Sequence, residues 1–96
     1  MNKQEFDVSK YLDNEEMIIE YLKAAIEEND TQFFMEALGH VAKARGMSDI
    51  AKKTGLGRES LYKAVSGNIK PKLDTVNKIL NAVGLSLSIE KTAVTE

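Results

Sequence analysis

The stretch TGLGRESLYKAVSGN, residues 54–68, decides how this chain is read. It opens on a turn, Gly55-Leu56-Gly57, and continues as a short helix predicted over about Arg58–Ser66. Upstream, a second short helix is predicted over about Ser48–Thr54, with Ser48 as its cap. Two short helices joined by a glycine turn make a helix-turn-helix arrangement, whose physical requirements can be checked by position. Ala51 is small enough for a close crossing, and Gly55, four residues later, tolerates a positive φ. Ile50, Leu56 and Leu61 anchor the pair to a core, helped by Ala64 and Val65. The remaining positions, Gly57, Arg58, Glu59, Tyr62, Lys63 and Ser66, form a polar outer face of the kind that enters a major groove.

The charge pattern supports this reading. The 96-residue chain has a net charge of −2, but its halves differ in sign. Residues 1–45 carry ten acidic and five basic side chains, whereas residues 46–96 carry five acidic and eight basic ones. From Lys52 to Lys78 seven cations face only Glu59 and Asp74. A division of this kind suggests two surfaces with different partners, although any single exposed charge is more simply a solvated one.

Chemistry divides the expected contacts with double-stranded DNA. Arg58, at the start of its helix, can fork onto guanine O6 and N7. Lys63 suits a base or a phosphate, and Ser48, Lys52, Lys53, Ser66, Asn68 and Lys70 are candidates for contacts along the backbone. Glu59 can accept from cytosine N4, but its i,i+4 spacing favours an ion pair with Lys63. Tyr62 has two readings: a contact to sugar, thymine methyl or phosphate, or a half-buried aromatic against the fifth helix.

Helical signals extend over the rest of the chain. Asp13 and Glu16 have capping-box spacing, followed by Met17, Ile18, Tyr21, Leu22, Ala25 and Ile26 as an apolar stripe ending near Asn29-Asp30. Asp30 or Thr31 caps a second helix with Phe33, Phe34, Ala37, Leu38, Val41 and Ala42 inward, closed by Gly46. Gly39 inside it points to close helix packing, since glycine there costs ~1 kcal/mol relative to alanine. Gly67-Asn68 marks a turn, and Pro71 delays a fifth helix that carries Leu73, Val76, Ile79, Leu80 and Val83 and stops at Gly84. The tail alternates Leu85, Leu87 and Ile89 with Ser86, Ser88 and Glu90, a strand pattern that needs a partner. That partner is either the same tail of another subunit or the Phe6-Asp7-Val8 segment.

Composition leaves little room for catalysis. There is no cysteine, a single histidine, and no glycine loop for phosphate, so no cofactor, metal site or small-molecule substrate is expected. His40, between Gly39 and Val41, reads as structural or surface. Neither a signal peptide nor a membrane span is legible, which makes the cytoplasm the expected location.

Four runs carry a resemblance beyond the motif: FDVSKYL (residues 6–12), ALGHVAKARGMSDIAKKTGL (37–56), RESLYKAVSGN (58–68) and LDTVNKILNAVGLSLSI (73–89). Over nearly the whole chain the sequence resembles the HigA-like probable addiction module antidote proteins, a branch of the lambda-repressor-like (Xre) helix-turn-helix family. The resemblance implies an all-α, lambda-repressor-like five-helix domain with a helix-turn-helix and a short C-terminal β-strand. Its parts would be an acidic helical portion (1–45), a DNA-binding portion (46–84), and a strand and tail (85–96). It further implies an antitoxin that neutralises a RelE/HigB-type ribonuclease and, usually as a homodimer, represses its own operon. Three positions depart from the broad repressor pattern: Thr54 replaces an apolar residue, Gly57 a capping serine, and Ala64 a larger aliphatic.

A ribonuclease toxin binds RNA and is expected to be basic. The acidic half then offers Glu16, Glu20, Glu27 and Glu28 as a complementary surface; equally, these residues simply solubilise a helix. Two other readings stay open from sequence: a stand-alone prophage-type regulator without a toxin, and a purely protein-binding helical module.

Overall fold

A computed structural model describes residues 14–91, which form five α-helices. These are α1 (Glu15–Glu27), α2 (Thr31–Arg45), α3 (Met47–Thr54), α4 (Arg58–Ala64) and α5 (Leu73–Ala82). Among the described residues no strand forms, and in place of the expected C-terminal β-strand stands a tail without strand pairing among those residues. The alternation of the tail reports which side chains share a face, but a strand exists only where another strand takes its hydrogen bonds. The Phe6-Asp7-Val8 segment lies outside the described residues.

Local capping sets the helix ends. Asn14 accepts the Met17 N–H on Oδ1 at 2.8 Å, so the cap of α1 is Asn14 and not Asp13, which lies outside the described residues. Both residue types carry the same acceptor oxygen, and spacing to Glu16 alone does not choose between them. Asn29 leaves α1 with φ 60°, a region asparagine enters more readily than most residues. Asp30 then accepts the Phe33 N–H at 3.2 Å and opens α2. Gly46 ends α2 and directly starts α3. The expected Ser48 cap is therefore corrected: the chain is already helical at Met47, and α3 has no side-chain cap.

The core lies where α2 meets α1 and α3, and where α3 in turn meets α4 and α5. Met35, Leu38, Val41, Leu61 and Ile79 have no exposed surface. On α2 the structure moves the expected stripe: Phe33 is 43% exposed, whereas Met35 is fully buried. Met35, Leu38 and Ala42 form the i, i+3, i+7 line into the core, and Phe33 stands in the first turn at its rim. On α1 the buried set narrows to Ile18, Leu22 and Ala25, which leaves Met17 and Ile26 exposed. Leu73 likewise stays exposed, so α5 is anchored by Ile79 and Leu80, with Val83 just beyond its end. No helix of the described residues is long and apolar enough to cross a membrane.

Candidate nucleic-acid interface

The turn between α3 and α4 is built from backbone conformation. Gly55 adopts φ 76°, ψ 8°, the left-handed region, and its N–H bonds to the Ala51 carbonyl at 3.0 Å. A Cβ there would touch nothing within 4 Å, so the dihedral and not space demands glycine. Thr54, the first departure from the repressor pattern, has a role in this turn. Its Oγ1 donates to the Ala51 carbonyl at 3.1 Å and accepts the Leu56 N–H at 3.2 Å. The hydroxyl thus closes the turn from inside, which an apolar residue could not do.

Behind the turn, Leu61 and Ala64 of α4 are buried while Arg58, Glu59, Tyr62 and Lys63 are exposed. Gly57 precedes α4 without a side-chain cap. The end of α4 is clamped against α2 at Gly39, where a Cβ would stand 3.0 Å from Val65 Cβ and 3.2 Å from its carbonyl oxygen. The close packing expected at Gly39 is therefore present. It fixes the far end of α4, as Leu61 fixes its middle.

α4 ends at Ala64, shorter than the expected Ser66. Ser66 Oγ instead donates to the Lys63 carbonyl at 2.9 Å and accepts the Asn68 N–H at 3.1 Å. A hydroxyl has one proton to give. Ser66 therefore spends its donor on closing α4, and a phosphate contact would have to displace that bond.

Cations surround this face. Among the described residues the side-chain ion pairs are Asp49–Lys53 at 3.2 Å and Asp74–Lys78 at 3.4 Å. Lys52, Arg58, Lys63, Lys70 and Lys72 are exposed and take part in neither pair. The expected Glu59–Lys63 pair does not form. An exposed i,i+4 pair is worth only ~0.3–0.5 kcal/mol, so its absence costs little.

Tyr62 is 49% exposed and works with Arg58. The Arg58 Cζ lies 5.8 Å from the ring centroid, and Nη2 stands 3.5 Å from the phenol oxygen. That last distance is long for a hydrogen bond, so the association is mainly cation over ring, ~0.5–1 kcal/mol at an exposed site. Its effect is to lay the guanidinium along the face of α4. The other edge of Tyr62 borders a hollow of about 170 Å³ with Glu36, Gly39, His40 and Lys43 of α2. The hollow lies on the side where the Gly39–Val65 contact draws the end of α4 onto α2.

Two features were beyond the sequence reading. Lys43 borders the Tyr62 hollow and adds a cation from the nominally acidic half; its place in the last turn of α2 was the available signal. Tyr21 OH and His40 Nδ1 meet at 2.8 Å and tie α1 to α2. Burial pushes the Tyr21 phenol above its ordinary 10.0, and the Glu36 carboxylate adds to the rise. His40 thus serves as a tether, in line with the structural role expected of it.

Ser48 and Lys52 stand exposed on α3, and Asn68 and Lys70 on the connection to α5. On α1 the four acidic candidates Glu16, Glu20, Glu27 and Glu28 are all exposed, Glu28 at its C-cap.

Comparison with known proteins adds the family. A family model described as probable addiction module antidote protein matches residues 2–91. The chain is also similar to an uncharacterized protein of Haemophilus influenzae, 39% identical over 89 residues that cover 93% of this chain and 92% of the relative. No solved structure matches.

Proposed function

The chain belongs to the probable addiction module antidote protein family, and on that footing we propose that it is the antitoxin of a type II toxin–antitoxin module that represses its own operon from the cytoplasm. In this reading it neutralises a RelE/HigB-type ribonuclease and binds operator DNA as a homodimer through α3 and α4. The observation that carries the DNA half is the left-handed turn at Gly55, which buries Leu61 while leaving Arg58, Tyr62 and Lys63 exposed among cations that form no ion pair among the described residues. Arg58, oriented along Tyr62, reads guanine; Lys63 adds a base or phosphate contact; Lys52 and Lys70 hold the backbone on either side. In this reading Ser48, Lys53, Glu59 and Asn68 add secondary contacts. The toxin half rests on the family description and on the exposed acids of α1, which suit a basic partner.

The test is a footprint of the chain on its own promoter, alone and with the product of the neighbouring reading frame. Arg58→Ala with Lys63→Ala is expected to abolish promoter recognition and leave the helical signal unchanged; sequence-specific binding by that pair refutes the assignment. Lys52→Ala should weaken binding evenly across sequences and make the salt slope shallower by about one unit. Charge reversal of Glu20, Glu27 and Glu28 together should weaken capture of the toxin at low salt. Promoter binding without a toxin-like neighbour would instead identify a stand-alone regulator.

A further inference from the structure

Two contacts fix the direction in which α2 passes the end of α4. A Cβ on Gly67 would stand 2.9 Å from Glu36 Oε2 and 3.0 Å from Gln32 Cγ, and a Cβ on Gly39 would stand 3.0 Å from Val65 Cβ. Positions 32 and 36 therefore face 67, and position 39 faces 65, so the two segments run antiparallel. Lys43 and Tyr62 continue the series. Both border the hollow of about 170 Å³, Lys43 one turn beyond Gly39 on α2 and Tyr62 one turn before Val65 on α4. One further turn in the same direction lies Arg58, where α4 begins. The hollow thus has an acidic end at Glu36 and a basic end at Lys43, and the basic end is the one toward Arg58.

We propose that Lys43 is a further contact to the phosphate backbone of double-stranded DNA, made beside Tyr62 on the α2 flank of α4. The inference rests on the DNA reading and adds to that surface a residue from the acidic half of the chain. Glu36, Gly39, His40 and Lys43 follow one another at i, i+3, i+4 and i+7, so one stripe of α2 brings all four to the hollow. Of these, Glu36 carries the charge that would repel a phosphate. Seven residues of helix, about 10 Å of rise, separate it from Lys43, and exposed charges at about that distance are largely screened at 0.1 M salt. His40 is tied through Nδ1 to the Tyr21 hydroxyl at 2.8 Å, which leaves Lys43 as the mobile cation of the stripe.

The residue type fits the contact. A lysine carries a compact ammonium on a flexible stem, which serves a phosphate at the rim of an interface without the fixed fork that base reading asks of Arg58. Lys43 is exposed, and among the described residues it forms no ion pair. A cation in the last turn of α2 also suits the helix dipole, but that role shows in stability and not in the salt dependence of binding. The boundary between the acidic and basic halves of the sequence is therefore not the boundary between the two surfaces: the end of α2 belongs with α4.

Titration of the full chain against its own promoter over a range of salt tests the assignment. Lys43→Ala should weaken binding to promoter and unrelated DNA alike and make the salt slope shallower by about one unit. Its deficit against the wild type should then be about 3.5-fold larger at ~50 mM than at ~200 mM salt. Lys43→Arg should restore the slope, and both variants should keep the helical signal. Ethylation interference locates the contact: one phosphate whose ethylation weakens the wild type should lose that effect in Lys43→Ala. A Lys43→Ala variant with the slope and ethylation pattern of the wild type overturns the inference. So does a loss of affinity that follows a lowered Tm with the slope unchanged, since that is the dipole role alone. If Arg58→Ala with Lys63→Ala loses promoter recognition while Lys43→Ala keeps its slope, this inference fails and the DNA reading stands. A wild type that does not bind its promoter overturns both.

Discussion

Replacing Gly39 by alanine sets two effects of known sign against each other. Alanine gains ~1 kcal/mol of helix propensity over glycine in the middle of α2. The new methyl, however, would sit 3.0 Å from Val65 Cβ, 3.2 Å from Val65 Cγ2 and 3.2 Å from the Val65 carbonyl oxygen. Two of those three atoms are fixed to the backbone, so relief requires the end of α4 to move away from α2. Overpacking of this kind costs ~1–3 kcal/mol. With the propensity gain subtracted, Gly39→Ala should destabilise the chain by about 1 kcal/mol, a fall in Tm of ~4–8 °C for a domain of this size. The displaced α4 carries Arg58 and Lys63, so promoter affinity should fall as well. Thermal unfolding followed at 222 nm measures the first effect, and a gel-shift titration the second. Of the three crowding atoms, an added Val65→Ala removes Cγ2 alone, so it should recover part of the loss, not all of it. A Gly39→Ala variant as stable as the wild type, or more so, would refute the reasoning and mean that the α2–α4 contact yields freely.

Three further outcomes are expected. Met35→Ala should cost ~2–5 kcal/mol in urea unfolding, whereas Phe33→Ala, at the exposed rim, should cost far less; the reverse order would contradict the burial on α2. At Gly55, alanine should cost ~1 kcal/mol and asparagine less, because only the left-handed φ is at stake. Tyr21→Phe should lose ~0.5–1 kcal/mol with the His40 hydrogen bond. It should also change the alkaline limb of stability. The folded phenol holds its proton above the ordinary value of 10.0, so as pH rises past it the unfolded chain ionises first. Wild-type stability therefore falls there, and the fall should be shallower in Tyr21→Phe.

The sequence by itself determined what depends on neighbours a few residues apart. Five helices, the left-handed turn at Gly55 and the burial of Leu61 follow from hydrogen-bond geometry and a 3.6-residue period, both written into short stretches. The exposed, cationic face of α4 was legible for the same reason. Tertiary structure decided the rest. Met35 and not Phe33 enters the core because α1 and α3 lie on the Met35–Leu38 side of α2, a fact no residue within α2 encodes. The end of α4 meets α2 because Gly39 lets Val65 approach, across twenty-six residues of chain. The hydroxyl of Thr54 finds its acceptor only once Gly55 has turned the backbone. The tail shows the limit most plainly: its alternation is written in residues 85–90, but whether it becomes a strand depends on a second backbone that the sequence of the tail does not contain.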